Sequence, residues 1–515
     1  MEPTAPLSAH KAEQEDTLPT DQAHKQVDTS EASIAQPDAE NSRLPPFPTD
    51  KESSSSTKEE LSENVDKQNQ IPVSRPDYRG ARTKPSKQLS RKKAAGLILI
   101  LIFLVWQAVD LGQPQFIGSQ GWASILYPSN SIAGTSGEAN DVLSGLTSST
   151  TNKAHRSAKQ PAITPQEYIN LIVDKLSMDQ KLGQMMMVQF VGATDGLQLS
   201  TMINQYQVGS VILFSANGNI IDKPQFETLT QAIRDTRIDL PISMAIDQEG
   251  GNVDRLQQLD GPRPSAAALG ATNDIQKVTA AGIQDAQDLS SYGITLNLAP
   301  VVDVDNSVSS EMHQDMRTFG TTPEVVSRMA GAYLQGLQQS QKVVGTLKHF
   351  PGLGDATVDP HVGLPSIQRT KSELEAIDWA PYRTLIKQGQ VHAIMVTHEI
   401  VPAIDASKPS SLSSKLVTGI LRDEMGYQGV IMTDSLTMAG ITAYYTPDQA
   451  AAMAIEAGSD IIMGAASPND VAQMINGIKQ ALNNGGIQPS RIDESVRRIL
   501  MMKYQMGLLP IPNNK

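Results

Sequence analysis

The sequence predicts an α/β protein whose folded part, residues 162–512, is a (β/α)₈ TIM-type barrel. Eight short apolar runs alternate with longer segments of helical pattern, which is typical of a parallel sheet covered on both faces. Polar residues recur where these runs end, and in a barrel all such ends open onto the face that carries the active site. The 515-residue chain also leaves room for segments outside the barrel.

The first 93 residues differ in composition from the rest of the chain. They are rich in Ser, Pro, Gln, Glu, Asp and Lys and have hardly any apolar periodicity. Such a segment does not bury enough apolar surface to offset the entropy lost on folding, so we predict a disordered tail over residues 1–93. Its last part is basic, with a series of Lys and Arg residues between Arg75 and Lys93.

An uncharged apolar run, AAGLILILIFLVWQAV, follows at 94–109. As a helix it would be about 24 Å long, slightly shorter than the roughly 30 Å core of a bilayer. Flanking lysines and Trp106 would cover the difference at the two interfaces. We therefore predict a transmembrane helix, a signal anchor, over residues 94–110, because a cleaved signal peptide would have a much shorter charged leader.

Charge predicts which side of the membrane each part occupies. Basic residues crowd the N-terminal flank of the apolar run, whereas Asp110 opens the other flank. The positive-inside rule then predicts a single-pass protein of the cell membrane, with a cytoplasmic N-terminus and an extracellular barrel. Membrane lipid is thus one expected partner, and the basic end of the tail is expected to lie against anionic headgroups. Residues 111–161, rich in Ser, Thr, Gly and Asn, are predicted to be a flexible linker.

Composition excludes several classes of function. The net charge of -13 and the pI of about 5.1 argue against a nucleic-acid partner, which requires a basic face. The chain contains no cysteine, which excludes disulfides, thiolate metal sites and cysteine nucleophiles. A zinc hydrolase built on histidines is disfavoured because no HExxH pattern is present and the histidines have no standard zinc spacing.

The eight apolar runs are the predicted barrel strands: 183–190, 208–214, 241–247, 295–304, 343–350, 392–398, 429–435 and 460–464. The polar residues at their ends are Asp247, Asp303, Lys348, His349, His398 and Asp434. Any one of them would suit a helix cap. Their recurrence at successive strand ends indicates a common site instead.

The loop that follows the 343–350 run concentrates ionisable residues. It reads KHFPGLGDATVDPHVGLP and places His361 and Asp359 among glycines and prolines. Because the unperturbed pKa of histidine is about 6.5, its imidazole exchanges protons readily near neutral pH. We therefore predict that this loop carries a proton-transfer group, although an isolated loop histidine is more often simply solvated.

These motifs together resemble glycoside hydrolase family 3. They are KHFPG-x-G-D with a D-x-H after it, DQEGG (247–251), NLAPVVDV (297–304), RTFG (317–320) and VIMTDSLTM (430–438). Within the family the chain resembles the single-domain β-N-acetylhexosaminidase (β-N-acetylglucosaminidase) branch over residues 164–510. The longer β-glucosidase branch carries its acid/base glutamate on a second α/β domain, which we do not expect here.

The resemblance implies a role for each candidate site residue. Asp434 matches the nucleophile of a retaining glycosidase, which attacks the anomeric carbon and forms a covalent glycosyl intermediate. His361, oriented by Asp359, matches the acid/base dyad. The residues that match hydroxyl-binding positions are Asp247, Arg317, Lys348 and His349. Simpler alternatives are a salt bridge from Arg317 to Asp315 and a helix cap at Asp247, and His398 is expected to lie behind the catalytic groups.

Several positions depart from the family pattern. Leu353 stands where a second histidine is usual, Ser435 replaces a second aspartate, Asn252 and Asp254 replace Arg and Gln, and Pro360 replaces a frequent serine. Neither the nucleophile nor the dyad is lost. The sequence therefore predicts an active enzyme with a shifted pocket or leaving-group preference.

The expected function is removal of non-reducing terminal β-linked N-acetylglucosamine, with no cofactor and no metal. The predicted location makes peptidoglycan fragments (muropeptides) of a bacterium the expected substrates. A β-glucosidase or a glycoside phosphorylase of the same fold is an alternative, because a histidine acid/base repels phosphate less than a carboxylate does. An alternative of another class is a catalytically inactive, membrane-anchored wall-binding protein.

Overall fold

The structure, a computed structural model, describes residues 163–509 apart from 237–238, 357 and 360. The predicted disordered tail (1–93), transmembrane helix (94–110) and linker (111–161) lie outside the described residues. Within the described ranges, no helix is long and apolar enough to cross a bilayer. These ranges form a closed barrel of eight parallel strands with helices around it, and this confirms the predicted TIM-type barrel.

The strands in chain order are β1 (Met186–Val188), β2 (Ser210–Ile212), β3 (Ser243–Ile246), β4 (Gln248–Gly250), β5 (Val253–Asp254), β6 (Leu296–Asn297), β7 (Val344–Phe350), β8 (Ala393–Val396), β9 (Val430–Ser435) and β10 (Ile461–Met463). All except β4 and β5 belong to the barrel, which closes where β10 pairs with β1. Each barrel strand lies inside one of the eight predicted runs. Their residues are almost entirely buried, which explains why the runs are continuously apolar rather than alternating.

The antiparallel hairpin formed by β4 and β5 is not among the elements that the apolar runs predict. It follows β3 directly and contains the DQEGG motif. Gly250 and Gly251 both have positive φ, and a Cβ at Gly250 would lie 2.2 Å from the carbonyl oxygen of Pro264. The paired glycines are therefore required by the turn and by the close approach of another backbone segment.

The helices are α1 (Pro165–Val173), α2 (Met178–Gln184), α3 (Leu197–Tyr206), α4 (Lys223–Asp235), α5 (Gln257–Asp260), α6 (Ala266–Ala271), α7 (Ile275–Ser291), α8 (Glu311–Gln314), α9 (Pro323–Gln338), α10 (Lys371–Ala376), α11 (Ala380–Lys387), α12 (Ala439–Thr442), α13 (Pro447–Ala457), α14 (Pro468–Asn483) and α15 (Pro489–Gln505). A π-helix, Lys415–Glu424, connects β8 to β9. Many begin at a Ser, Thr or Asp cap followed by proline, as Thr322 does before α9 and Ser467 before α14. These caps satisfy backbone N–H groups that the first turn leaves free.

Helices α7 and α9 cross at two glycines. A Cβ at Gly282 would lie 2.2 Å from the carbonyl oxygen of Tyr333, and one at Gly336 would lie 2.1 Å from that of Thr279. The two backbones therefore pack against each other without side chains between them. This contact fixes the connections that lead from β3 to β6 and from β6 to β7.

Asp460, just before β10, is a buried ionic centre away from the strand ends that open on the active-site face. It accepts hydrogen bonds from the backbone N–H of Ile431 at 3.0 Å and the hydroxyl of Ser495 at 2.8 Å. It also pairs with the guanidinium groups of Arg422, Arg491 and Arg498. One fully buried carboxylate thus ties the π-helix and α15 to the strands.

Lys503 on α15 is fully buried. Its Nζ donates to Gln184 Oε1 and to the carbonyl oxygen of Pro241, each at 2.7 Å. Neither partner carries a charge, and burial lowers the pKa of Lys503 from 10.5 to about 7.

Candidate active site

The C-terminal ends of β3, β7, β8 and β9 bring ionisable residues to one face of the barrel, as parallel strands must. Asp247 follows β3, Lys348 and His349 lie at the end of β7, His398 follows β8, and Asp434 lies in β9. Asp303 joins them from the segment after β6, because the N–H of Val302 donates to the carbonyl of Lys348 at 2.7 Å. The sequence-predicted polar ends therefore lie together at one face of the barrel, where we place the candidate pocket.

A buried ion network forms one side of this pocket. Lys348 Nζ lies 2.7 Å from Asp247 Oδ1 and 2.7 Å from Glu249 Oε1. Arg317 donates to both oxygens of Glu249, from Nε and Nη2, each at 2.9 Å. Burial raises the pKa of Glu249, but Arg317 and Lys348 outweigh burial and hold that pKa well below its usual range. Glu249 is therefore an ionised carboxylate at neutral pH, paired with two cations.

Local backbone geometry explains why two carboxylates meet Lys348. The side-chain amide of Asn297 on β6 bonds both to the N–H of Gln248, at 3.0 Å, and to its carbonyl, at 2.9 Å. Gln248 is thus fixed in extended form, and residues on either side of it point the same way. Asp247 and Glu249 are those two residues.

The contacts of Arg317 and Asp247 differ from the simpler alternatives that the sequence suggests, and Glu249 is an additional member of the network. Arg317 does not pair with Asp315 but with Glu249 and with Glu311 Oε1, the latter at 2.8 Å. Asp247 accepts from Lys348 rather than capping a helix. Glu249 was not selected from the sequence, although it stands two residues after Asp247 in the quoted DQEGG motif.

The imidazole of His349 lies between the carboxylate of Asp303 and the guanidinium of Arg317. Its Nδ1 lies 2.7 Å from Asp303 Oδ2, and its Nε2 lies 3.2 Å from Arg317 Nη2. A guanidinium only donates, so Nε2 accepts and the ring proton sits on Nδ1, which donates to Asp303. Asp303 also accepts from the N–H of Leu353 at 2.9 Å. Leu353, which stands where the family usually has a second histidine, therefore fixes Asp303 through its backbone N–H, and its side chain is buried.

Asp434 is partly buried in the pocket, and its Oδ1 accepts from the N–H of Ser435 at 2.7 Å. Burial raises its pKa, but His398, His349, the Ser435 N–H and His361 together outweigh burial and hold that pKa below its usual value. Asp434 is therefore an ionised carboxylate at neutral pH. His361 is among the groups that lower this pKa, so the loop histidine lies within electrostatic range of Asp434.

His398 contacts the neighbour of Asp434 rather than the carboxylate itself. It is fully buried, with Nε2 at 2.9 Å from the carbonyl oxygen of Ser435 and Nδ1 at 2.8 Å from the hydroxyl of Ser411. A carbonyl only accepts, so Nε2 carries the proton. Burial lowers the pKa of His398, and the opposing effects of Asp434 and the Ser435 carbonyl do not offset burial.

The loop after β7 presents Asp359 and His361 to solvent. The side chain of His361 is 68% exposed and that of Asp359 36%. Asp359 Oδ1 lies 2.9 Å from His361 Nδ1 and accepts from the His361 N–H at 2.8 Å. A carboxylate bonded to Nδ1 orients the ring and leaves Nε2 available for proton exchange. Pro360, between them, lies outside the described residues.

The pocket as a whole contains an ionised carboxylate, an accessible imidazole oriented by an acid, and fixed charged groups suited to sugar hydroxyls. Among the residues from 163 to 509 that the structure describes, no cluster of three or more His, Asp or Glu side chains is arranged to hold a metal ion.

Comparison with known proteins relates this geometry to a family. The profile described as glycosyl hydrolase family 3 N terminal domain matches residues 177–502. Beta-hexosaminidase LpqI of Mycobacterium tuberculosis is 34% identical over 338 residues, which is 64% of this chain and 83% of LpqI. Beta-hexosaminidase A of Pseudoalteromonas piscicida is 32% identical over 334 residues, 60% of this chain, and the match spans only 55% of that protein.

A solved structure gives the same relationship. The glycoside hydrolase family 3 beta-N-acetylglucosaminidase from Paenibacillus sp. str. FPU-7 superimposes with a TM-score of 0.62 at 32% identity. The superposition covers 66% of this chain and 65% of that one.

Proposed function

Because the chain belongs to glycosyl hydrolase family 3, we propose that it is a retaining exo-glycosidase that removes non-reducing terminal β-linked N-acetylglucosamine. The observations that support this proposal are that Asp434 has a lowered pKa and that the exposed His361, oriented by Asp359, lies within electrostatic range of it. The named similarity to beta-hexosaminidases and to a beta-N-acetylglucosaminidase supports the choice of sugar.

In the first step, Asp434 attacks the anomeric carbon and the bond to the leaving oxygen breaks. His361 gives its Nε2 proton to that oxygen, so the leaving group departs as a neutral alcohol. Asp434 suits the role of nucleophile because its lowered pKa keeps it ionised. The product of this step is a covalent glycosyl ester on Asp434.

In the second step, His361 takes a proton from water while the water oxygen attacks the anomeric carbon. The ester bond to Asp434 breaks and the carboxylate is regenerated. Two inversions at one carbon give net retention of configuration. Asp359 supports the charged imidazole each time the ring gains a proton.

The ion network supplies orientation rather than proton transfer. Lys348, Arg317 and Asp247 present charged donors and an acceptor whose positions are fixed by one another. Charge-assisted bonds from such groups to hydroxyls are strong, and a sugar that lacks a matching hydroxyl would leave them unpaired. The network is therefore suited to selecting a particular pyranose.

The proposed location is the outer face of the cell membrane, with the barrel tethered through residues 94–110. The uncharged run and its basic N-terminal flank support this part of the proposal. Peptidoglycan fragments would be the substrates encountered there.

The decisive experiment combines turnover with trapping on the full-length protein. We expect hydrolysis of nitrophenyl N-acetyl-β-glucosaminide, and a fluorinated N-acetylglucosaminide inactivator should label the peptide that contains Asp434. Binding of the sugar without turnover would favour an inactive wall-binding protein. A label on any other residue would overturn the assignment of Asp434.

Transfer to phosphate is a second candidate reaction for the same pocket. The group proposed for proton transfer is an imidazole, which repels an incoming phosphate less than a carboxylate would. Release of N-acetylglucosamine 1-phosphate in phosphate buffer, faster than release of the free sugar, would establish it.

A further inference from the structure

Arg369 forms ion pairs with Asp355 and Asp378, and we call these three side chains the clip. Its Nη2 lies 2.9 Å from Asp355 Oδ2, and its Nε lies 3.2 Å from Asp378 Oδ2. Asp355 begins the loop that carries Asp359 and His361, and Arg369 ends it. Asp378 belongs to the barrel wall just before α11 and is fully buried. The guanidinium therefore joins the two ends of the loop to each other and to the barrel.

Backbone contacts hold the base of this loop in the same place. The N–H of Leu353 donates to Asp303 at 2.9 Å, the N–H of Ile367 donates to the carbonyl of Ile400 at 2.9 Å, and the N–H of Ile400 donates to that of Pro365 at 2.8 Å. The base is buried, whereas Val358, His361 and Val362 at the tip are exposed. The position of the tip is thus set by contacts at the base.

The clip lies against acids that have no other cation. Glu399 is fully buried, and neither of its carboxyl oxygens has a hydrogen-bond partner within the described residues. Burial raises the pKa of Glu399 well above its usual value. Burial also raises the pKa of Asp378 to about 7, although the attraction of Arg369 lowers it. In the described part of the chain, Arg369 is the sole Lys or Arg that forms an ion pair with Asp355 or Asp378.

An arginine suits this position because its planar fork can engage two carboxylates at once. A lysine would offer a single ammonium, which can hold one carboxylate well but does not fix the angle between two. Removing the cation would leave Asp355 beside a buried, uncompensated Asp378, and the base of the loop would separate.

We infer that Arg369 is a positioning residue for the proton-transfer step. By joining Asp355 to Asp378, it fixes the base from which Asp359 and His361 reach the leaving-group oxygen. This inference rests on the proposed function, because it assigns Arg369 an effect through His361. A displacement of about 1 Å at a reacting group costs roughly a hundredfold in rate. Movement at the base of the loop should therefore slow the proton-transfer step.

The test compares leaving groups in Arg369→Gln, Arg369→Lys and wild type. A nitrophenoxide leaves without help from an acid, whereas an alkyl or sugar alcohol needs its proton. We expect Arg369→Gln to lower kcat/KM for an alkyl N-acetyl-β-glucosaminide by about a hundredfold and for the nitrophenyl glycoside by less than about threefold. Arg369→Lys should recover part of the loss. Equal loss on both substrates would overturn the inference.

A double-mutant cycle separates positioning from general damage. If Arg369 acts through the imidazole, Arg369→Gln should add little to the loss already caused by His361→Ala on the alkyl substrate. Additive losses would contradict the inference. Arg383→Gln is the matched control, because Arg383 also binds a carboxylate through its guanidinium. Its Nε and Nη2 donate to the two carboxylate oxygens of Glu375, each at 2.6 Å. Arg383 lies on α11, and the ratio between the two substrates should not change.

Two further measurements keep the inference testable if the first variant folds poorly or if wild type proves inactive. Asp355→Asn cuts only one arm of the clip, and it should shift the substrate ratio in the same direction. Hydrogen exchange does not depend on turnover. The amides of Val362, Gly363 and Ile367, which are hydrogen-bonded, should exchange about tenfold faster in Arg369→Gln. Unchanged exchange there would overturn the inference while leaving the proposed function untouched.

Discussion

The two groups proposed for catalysis occupy opposite environments. Asp434 is enclosed by His398, His349 and the Ser435 N–H, whereas the side chain of His361 is 68% exposed. A nucleophile benefits from fixed donors, such as the Ser435 N–H, that stabilise its charge although burial opposes ionisation. A proton donor must reach solvent to be recharged. The burial of each group therefore matches the role proposed for it.

Replacing His361 by alanine should separate these roles. We expect kcat/KM for alkyl N-acetyl-β-glucosaminides to fall by about 10³-fold, and that for a nitrophenyl glycoside by about tenfold or less, because only the alkyl leaving group needs a proton. Steady-state kinetics on a series of leaving groups measures this as a steeper dependence of log kcat/KM on leaving-group pKa. An equal loss across the series would contradict the role.

His313→Ala is the control for that experiment. His313 also pairs with an aspartate, Asp305, at 2.8 Å, and its side chain is 43% exposed. It has the same chemistry without the assigned role, so the dependence on leaving group should remain that of wild type.

The buried Lys503 should make the free energy of unfolding depend on pH. Its pKa in the folded protein is about 7 against 10.5 ordinarily, so between these values the unfolded chain binds more protons. The free energy of unfolding should therefore rise with pH across this window, by at most about 1.4 kcal/mol per unit from this group, and the full penalty is present below it. Urea midpoints of wild type and Lys503→Met at pH 7.5, 8.5 and 9.5 measure the contribution.

The expected result is that the difference between the two proteins changes with pH, because only wild type gains stability from losing this proton. A constant difference would show that Lys503 is charged in the folded state. Lys479→Met, at a partly exposed surface pair with Asp179, should show no such change.

Which ionisable side chains gather at one face of the barrel was predictable from the sequence, but their pairing was not. Asp247, Lys348, His349 and Asp434 were recognised because each ends an apolar run. Lys348 and Asp247 are 101 residues apart, and Arg317 and Glu249 are 68 apart. No local pattern reveals such partners. Glu249 was missed because its importance comes only from the two cations that reach it in the fold.

At the scale of elements, the strands were predicted well and their lengths less so. The run at 295–304 gives only Leu296–Asn297 as a regular strand, β6. Beyond it the chain is no longer a regular strand but stays hydrogen-bonded to both neighbours. The N–H of Leu298 donates to the carbonyl of Ile246 at 2.8 Å, and Val301 forms a parallel bridge with Lys348. The apolar run therefore marks the buried segment rather than the length of the regular strand. The β4–β5 hairpin was missed because its strands are short, three and two residues, and form no apolar run.

The packing of the π-helix and α15 against the strands should depend strongly on Asp460. Asp460→Asn leaves Arg422, Arg491 and Arg498 clustered without their shared carboxylate. Removing one partner of a buried ion pair typically costs about 3–5 kcal/mol, and we expect a loss of that size in the free energy of unfolding. Urea denaturation followed by circular dichroism measures it.

Glu494→Gln is the surface control for Asp460. Glu494 lies 3.7 Å from Arg498 with its side chain 54% exposed, so its loss should cost less than about 0.5 kcal/mol. If both variants lost the same amount, Asp460 would not be the centre that its contacts indicate.

At the scale of the whole molecule, the sequence predicts a topology for the full chain. We expect an added protease to digest a C-terminal epitope on intact cells while an N-terminal epitope survives, because the basic flank before residue 94 should remain inside. Immunoblotting of the two epitopes measures this. Protection of the C-terminal epitope would contradict an extracellular barrel, and lysed cells provide the control in which both are digested.

The arrangement of strands around the barrel has an evolutionary consequence. The pocket groups come from β3, β6, β7, β8 and β9, which are consecutive around the barrel, whereas among the described residues the C-terminal ends of β10, β1 and β2 supply none of the ion pairs of the candidate site. We therefore expect exchange of the loops above these three strands, between homologues or in a library, to disturb bond cleavage less than exchange of the loops that carry the pocket groups. New acceptor or aglycone preferences should be selected most readily from that third of the rim.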